Sequence, residues 1–339
     1  MYEKFYGFIG SPFQLTPDTR FFYGSRGHSR AIAHLTFGLA QGEGFIIVTG
    51  EVGAGKTLLI ERLISQLDRD TYAVARVNTT QVSGDDLFRL ALAGFGIDEP
   101  EATKATLLLH FEDMLHDHRI AGRRCLLIVD EVQNLSLAAL EELRMLSNII
   151  EGGRASLQTI LMGQPQFRRM LASPDLDQLR QRVLASYHLG PLTREETRAY
   201  IEHRLSTVGW RGTTPHWDDA AFAAVYDHSG GIPRRVNRLC ARVLLYGALE
   251  ESSEITGTMV GSTAEELAED LEGVSPEQFA RIPQPHHHQT ADHPVYRNGH
   301  GATDLLSRIE ALEQQMAKRE LAFQRLMDMF SAHGNAGVS

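Results

Sequence analysis

Cysteine is scarce in this chain. Its 339 residues include two, Cys125 and Cys240, each set in an apolar stretch. Two such thiols exclude a disulfide framework and read as buried side chains in a reducing compartment. Long apolar runs are missing as well: no span reaches the roughly 18 residues of a bilayer-crossing helix. The opening Met1-Tyr2-Glu3-Lys4-Phe5 lacks the basic region and apolar segment of a signal peptide. A cytoplasmic location is the expectation. Positive charge is also in deficit, with 33 Lys and Arg against 43 Asp and Glu, a formal net charge of −10 and a pI near 5.8. That balance argues against a protein that coats nucleic acid. No internal repeat is visible. What remains, 42% hydrophobic and 22% charged residues, is the composition of a globular chain long enough for a two-part core.

The most specific motif is Gly50-Glu51-Val52-Gly53-Ala54-Gly55-Lys56-Thr57, which fits G-x-x-x-x-G-K-[ST] at every fixed position. It lies between the apolar run Phe45–Thr49 and the helical start Leu58-Leu59-Ile60. Glycines let such a loop wrap phosphate oxygens, so that successive backbone N–H groups point inward as an anion nest. The helix N-terminus behind them adds partial positive charge. Lys56 is expected to reach the β- and γ-phosphates of ATP, and the Thr57 hydroxyl to complete a Mg²⁺ shell. Residues 50–58 form the expected cofactor-binding stretch.

A second motif follows at Cys125-Leu126-Leu127-Ile128-Val129-Asp130-Glu131. Its continuous hydrophobicity reads as a strand buried on both faces of a parallel sheet. Ligands of open α/β sheets bind at the carboxyl ends of strands, which puts the two carboxylates beside the phosphate loop. Asp130 is expected to hold Mg²⁺ through water, and Glu131 to orient and polarise the attacking water. P-loop kinases need no such second carboxylate, so the pair points to hydrolysis.

Strands are predicted at 45–49, 72–78, 125–130, 157–163 and 186–189, with helices near 29–39, 57–68, 84–95, 104–120, 136–150 and 165–182. This alternation predicts a parallel sheet with helical crossovers. The aromatic lead-in, residues 1–30, is expected to pack on the core, with a minority of its rings flanking a nucleotide base. Beyond 190 the strand signal stops. Thr193-Arg194-Glu195-Glu196 opens a helix as a capping box, and further helices are predicted at 218–228, 233–249 and 263–272. The organisation is therefore an α/β domain over 1–190, a helical lid over 191–273, a flexible linker over 274–302 and a coiled-coil-like helix over 303–330. Within the linker, His286-His287-His288 reads as a solvated tract or, less readily, a metal site. Leu305, Ile309, Leu312, Met316, Phe323, Leu326 and Phe330 occupy a and d heptad positions, broken once by Arg319. The other reading of that seam is a lone amphipathic helix docked on the domain.

A phosphate loop, an Asp-Glu strand end and a helical lid, in that order, suggest an AAA+ arrangement. Gln164, after strand 157–163, stands where a polar sensor would touch the γ-phosphate or the lytic water. Arg180 and Arg182 precede the last strand, where an arginine finger would complete a neighbour's site. Arg182, closer to the strand, is the favoured finger. Arg234 opens a lid helix and is placed to reach back to the nucleotide.

With these positions the chain resembles the general-secretion-pathway protein A type of AAA+ ATPase, most closely the secretion ATPases of PEP-CTERM/exosortase exopolysaccharide loci. The resemblance covers residues 1–250. It rests on Ser11-Pro12-Phe13 with Thr16-Pro17-Asp18, Gly50–Thr57, Val129-Asp130-Glu131 with Gln133-Asn134, Glu141-Glu142-Leu143-Arg144, Gly163-Gln164-Pro165, Leu179–Val183 and Gly230–Leu239. It implies a five-stranded AAA+ sheet with a helical lid, ATP hydrolysis with Mg²⁺, self-association, and partners in envelope secretion or exopolysaccharide assembly. The larger secretion-pathway members carry a transmembrane helix and a peptidoglycan-binding domain after the ATPase. No such segments are expected here, so membrane association would be peripheral and through partners. Two other functions share this core: a DNA-associated switch of the transposition or initiator type, and a nucleotide-gated scaffold with little turnover. No helix-turn-helix or basic tail supports the first.

Overall fold

The computed structural model describes residues 2–272 apart from 17, 79–83 and 152–153. The expected linker over 274–302 and the heptad seam over 303–330 lie outside the described residues. In chain order the elements begin with α1 (Tyr2–Tyr6), α2 (Arg26–Gln41), β1 (Phe45–Gly50), α3 (Lys56–Gln66) and β2 (Tyr72–Asn78). Next come α4 (Gly84–Gly94), α5 (Lys104–Ile120), β3 (Arg124–Asp130), α6 (Leu137–Leu146) and a hairpin of β4 (Ile150–Glu151) with β5 (Arg154–Ala155). They continue with β6 (Leu157–Gly163), α7 (Pro165–Leu171), α8 (Asp177–Arg180) and β7 (Val183–Leu189). Beyond the sheet lie α9 (Arg194–Thr207), β8 (His216–Trp217), α10 (Asp219–Ser229), α11 (Pro233–Leu249), β9 (Glu254–Ile255) and α12 (Gly257–Glu272).

Five strands form one parallel sheet in the order β2-β3-β6-β1-β7. The unbroken apolar runs follow from two-sided burial. Phe45 and Ile47 of β1, with Leu127 and Val129 of β3, face a core that includes Phe88, Phe111 and Leu143 from α4, α5 and α6. Ile46, Val48, Leu126 and Ile128 point the other way, onto Leu35 of α2 and Leu59 and Ile60 of α3. β6 separates the two motif strands, β3 and β1.

A third core lies within α9–α12, the lid. Tyr6, Phe8, Phe13 and Phe21 of the lead-in belong to this cluster, so the lead-in aromatics pack on the lid's apolar centre. Arg204 of α9 explains the arrangement. It is 5% exposed, lies over the Phe21 ring and donates to the carbonyls of Pro12 and Gln14. A buried guanidinium needs acceptors, and the irregular lead-in backbone provides them.

Several expected elements differ in extent. The single helix over 165–182 is three pieces: α7, a 3-10 turn at Pro174–Leu176, and α8. Pro174 opens the turn, and its ring has no N–H to carry α7 onward. The helix over 136–150 stops at Leu146 and gives way to the β4–β5 hairpin. α12 starts at Gly257, earlier than its polar sequence suggested. Two-residue strands β8 and β9 also pair within the lid, where no strand was expected. The Thr193–Glu196 capping box is present in both directions.

Candidate nucleotide site

The loop Gly50–Gly55 leaves the carboxyl end of β1 and enters α3 at Lys56. Gly53 (φ 82°) and Gly55 (φ 99°) adopt left-handed backbone that a side chain would strain. Space decides the rest. A Cβ on Gly50 would come within 2.6 Å of the Leu189 carbonyl oxygen, one on Gly53 within 2.3 Å of Arg234 Cβ, and one on Gly55 within 2.9 Å of His28 Nε2. Glu51 and Val52 form the exposed tip, Ala54 is buried, and Thr57 and Leu58 are half-buried in the first turn of α3.

Lys56 is 6% exposed, and its Nζ donates to the carbonyls of Gly50 (2.8 Å) and Glu51 (3.1 Å). Burial pushes its pKa below the ordinary lysine value, against the opposing charges of Glu131, Asp130 and Glu51. Anionic oxygens placed here would favour the charged ammonium. The Thr57 hydroxyl lies 3.4 Å from Asp130 Oδ2, to which it donates. Arg76 of β2 meets the same oxygen at 3.4 Å and reaches Glu61 at 3.8 Å. A hydroxyl beside a carboxylate is a donor set of hard oxygens, which suits a Mg²⁺ ion that keeps most of its water or shares phosphate oxygens.

Glu131 follows Asp130 in left-handed backbone (φ 54°, ψ 39°). For a residue with a side chain this costs on the order of 1–3 kcal/mol and persists only when the surroundings enforce it. Here Asp130 Oδ1 accepts from the Glu131 N–H at 2.9 Å. Glu131 Oε2 accepts from Gln133 Nε2 at 2.5 Å and from Gln164 Nε2 at 3.1 Å. The sheet thus brings Gln164 to Glu131. Arg234 of α11 sits on the loop itself, its backbone N–H donating to the Gly53 carbonyl at 3.2 Å.

Arg180 and Arg182 lie elsewhere. β7 runs parallel to β1 with Val183 opposite Phe45, so both arginines stand at the end of the sheet remote from Gly50. Six strand residues separate those ends by roughly 16 Å, at about 3.3 Å each. Arg182 is half-buried and donates to the Ser147 carbonyl and hydroxyl, both at 3.3 Å. Arg180 is 48% exposed in its side chain and pairs with Asp177 of its own helical turn.

Residues beyond the sequence motifs also face the site. His28 is buried under Gly55, shares a hydrogen bond with Ser25 Oγ at 2.7 Å, and has its pKa lowered chiefly by burial. Thr49 Oγ1 and His188 Nδ1 are 3.1 Å apart at the loop's root. Nothing local in the sequence marks either histidine. Among the described residues, no group of three His, Cys, Asp or Glu could hold a metal, and no helix is long and apolar enough to cross a membrane.

Residues 39–171 match the family model described as "AAA domain". The chain is 36% identical over 272 residues to general secretion pathway protein A of Aeromonas hydrophila, a match covering 79% of this chain and 49% of that protein. It thus spans about half the length of this curated relative. Two solved structures share the fold. The Aeropyrum pernix ORC2 protein, in ADPNP-ADP complexes, gives a TM-score of 0.57 at 18% identity, over 78% of this chain and 74% of that one. Cdc6p from Pyrobaculum aerophilum gives a TM-score of 0.59 at 15% identity, over 80% and 74%. At such identities the likeness concerns the fold alone. The phosphate loop, the five-stranded sheet and the extent of sequence identity together place this chain among AAA-domain proteins of the general-secretion-pathway protein A type.

Proposed function

We propose that this protein binds ATP with Mg²⁺ and hydrolyses it to ADP and phosphate. The observation that carries the reading is the Glu131 carboxylate, held by two amide donors beside Asp130 and across the sheet end from Lys56 and Thr57. The loop N–H groups and Lys56 would bind the phosphates. A Mg²⁺ ion held by Thr57 and Asp130 would supply charge neutralisation at the phosphate oxygens. Glu131 would take a proton from water as the water oxygen bonds to the γ-phosphorus and the bond to the β–γ bridging oxygen breaks, releasing ADP. Arg234 would stabilise phosphate charge from the lid. Arg180, exposed and remote from its own loop, is the better-placed finger for a neighbouring copy; Arg182 is already engaged by Ser147.

The cellular role follows by relationship. The identity to a protein named for general secretion supports a function in envelope secretion, and exopolysaccharide export is the narrower proposal. The working partners would be other copies of this chain and secretion or exopolysaccharide-assembly proteins, with the ATPase cytoplasmic and peripheral to the inner membrane through them. In this reading 1–190 is the nucleotide-binding domain and 191–273 its lid.

The test is paired. Lys56→Ala should abolish equilibrium binding of ATP, whereas Glu131→Gln should keep binding and lose turnover. Normal turnover by Glu131→Gln would reject the assignment. Affinity capture with that variant, stalled on ATP, would then name the partner.

A further inference from the structure

Gln133 joins the two halves of the hydrolytic site. It is half-buried on the 3-10 turn Val132–Asn134, directly after Glu131 and Val132. Its Nε2 donates to Glu131 Oε2, and its Oε1 accepts from the backbone N–H of Gln164 at 2.9 Å. Gln164 closes the ring, because its own side chain donates to the same Glu131 oxygen at 3.1 Å. One primary amide therefore uses its donor end on the carboxylate and its acceptor end on the strand tip that carries the second amide. Gly163 keeps that tip near: a Cβ there would lie 2.9 Å from Val132 Cγ2 and 3.1 Å from Gln133 Oε1.

We infer that Gln133 is a positioning residue for hydrolysis, holding the Glu131 carboxylate against the tip of β6. The inference rests on the ATP-hydrolysis reading above. The two glutamines differ in what anchors them. Gln164 offers a side chain that a γ-phosphate can attract away from Glu131, since phosphate oxygens are strongly charged acceptors. Gln133 is tied to the backbone N–H of Gln164, which stays in place when that side chain turns. When Gln164 moves to the nucleotide, Gln133 is the amide left on Oε2, and the base keeps its aim. Glu131 needs such a hold, because its left-handed backbone is not one it would keep unaided. A misplacement of about 1 Å in a reacting group can cost on the order of a hundredfold in rate.

Two substitutions in the full-length chain test this. Gln133→Met keeps length and volume but removes both amide ends. Gln133→Glu keeps an acceptor for Gln164 and turns the donor into a second carboxylate facing Glu131. Turnover, binding of a fluorescent ATP analogue and melting temperature are measured for each. With Gln133→Met, kcat should fall about tenfold or more while analogue affinity stays within about twofold, the signature of an interaction used at the chemical step. Gln133→Glu should also lose kcat with analogue affinity within about twofold, because a carboxylate cannot donate to Glu131 Oε2 as the amide does. A purely structural role would instead lower the melting temperature along with turnover. Turnover within about twofold of the unsubstituted protein in both variants overturns the inference, as does a loss that tracks weakened binding or melting. Glu131→Gln measured alongside separates the two readings. Normal turnover there removes the hydrolysis assignment itself; lost turnover there with normal turnover in Gln133→Met removes only the role of Gln133.

Discussion

Arg234 rests on Gly53. The N–H of the lid residue donates to the carbonyl of the loop residue at 3.2 Å, and the side chain's first carbon lies where a Gly53 Cβ would have to be. Gly53→Ala should therefore act twice, straining φ 82° and pushing α11 off the phosphate loop. Strain of this kind costs on the order of 1–3 kcal/mol. Nucleotide affinity should fall at least about tenfold, the equivalent of 1.4 kcal/mol. Titration with a fluorescent nucleotide checks it; unchanged affinity would mean the lid contact is dispensable.

Arg180 and Arg182 should separate by phenotype. Arg182→Ala removes two hydrogen bonds donated by Nη1 to Ser147 at the end of α6 and is expected to lower the melting temperature. Arg180→Ala removes an exposed ion pair, of a class worth about 0–1 kcal/mol, and a long exposed hydrogen bond to the Leu171 carbonyl, and should change stability little. If Arg180 works in trans, its alanine variant should lose turnover, and mixing it with Lys56→Ala should restore part of the activity. Specific activity that does not depend on protein concentration would argue against a shared site.

Arg204→Ala should uncouple the lead-in from the lid. The guanidinium donates to Pro12, Gln14 and the Tyr200 hydroxyl, which in turn donates to Asn237. Hydrogen bonds to a charged group are worth about 1.5–3 kcal/mol each but do not add fully when they share one guanidinium, so a loss of at least about 3 kcal/mol is expected. For a domain of this size that corresponds to about 6–12 °C in melting temperature. Calorimetry checks the prediction, and limited proteolysis should cut first within residues 7–24.

Acid should weaken the protein through four histidines that the fold holds neutral, of which His28 is buried. Burial lowers the pKa of His28, and desolvation does the same for His118, His188 and His203. A depressed folded value means that the unfolded chain takes up protons first. Stability is then complete above the unfolded value, about 6.5, and is lost as pH falls below it. Because His28 backs Gly55, nucleotide affinity should decline over the same range. His28→Asn should flatten part of that dependence in melting curves from pH 8 to 5. An unaltered slope would show that the other three histidines dominate.

The amino-acid sequence determined by itself whatever depends on local pattern. Gly50–Thr57 is legible because a loop that wraps phosphate needs its glycines and its lysine at fixed spacing. β1, β3 and β6 are legible because two-sided burial demands unbroken apolar runs. The capping box at Thr193 is an i, i+3 relationship and could be read off directly. Tertiary structure decided everything that joins distant residues. Gln133 looks like a polar residue of a turn until β6 brings Gln164 to it, and His28 looks like any histidine of an early helix until Gly55 packs above it. Arg180 and Arg182 differ by two positions, yet one lies in solvent and the other meets Ser147. The lead-in aromatics announce burial but not where, and the buried Arg204 of the lid supplies the answer. Side-chain chemistry is written along the chain, whereas partners are chosen by the packing of segments that the chain keeps far apart.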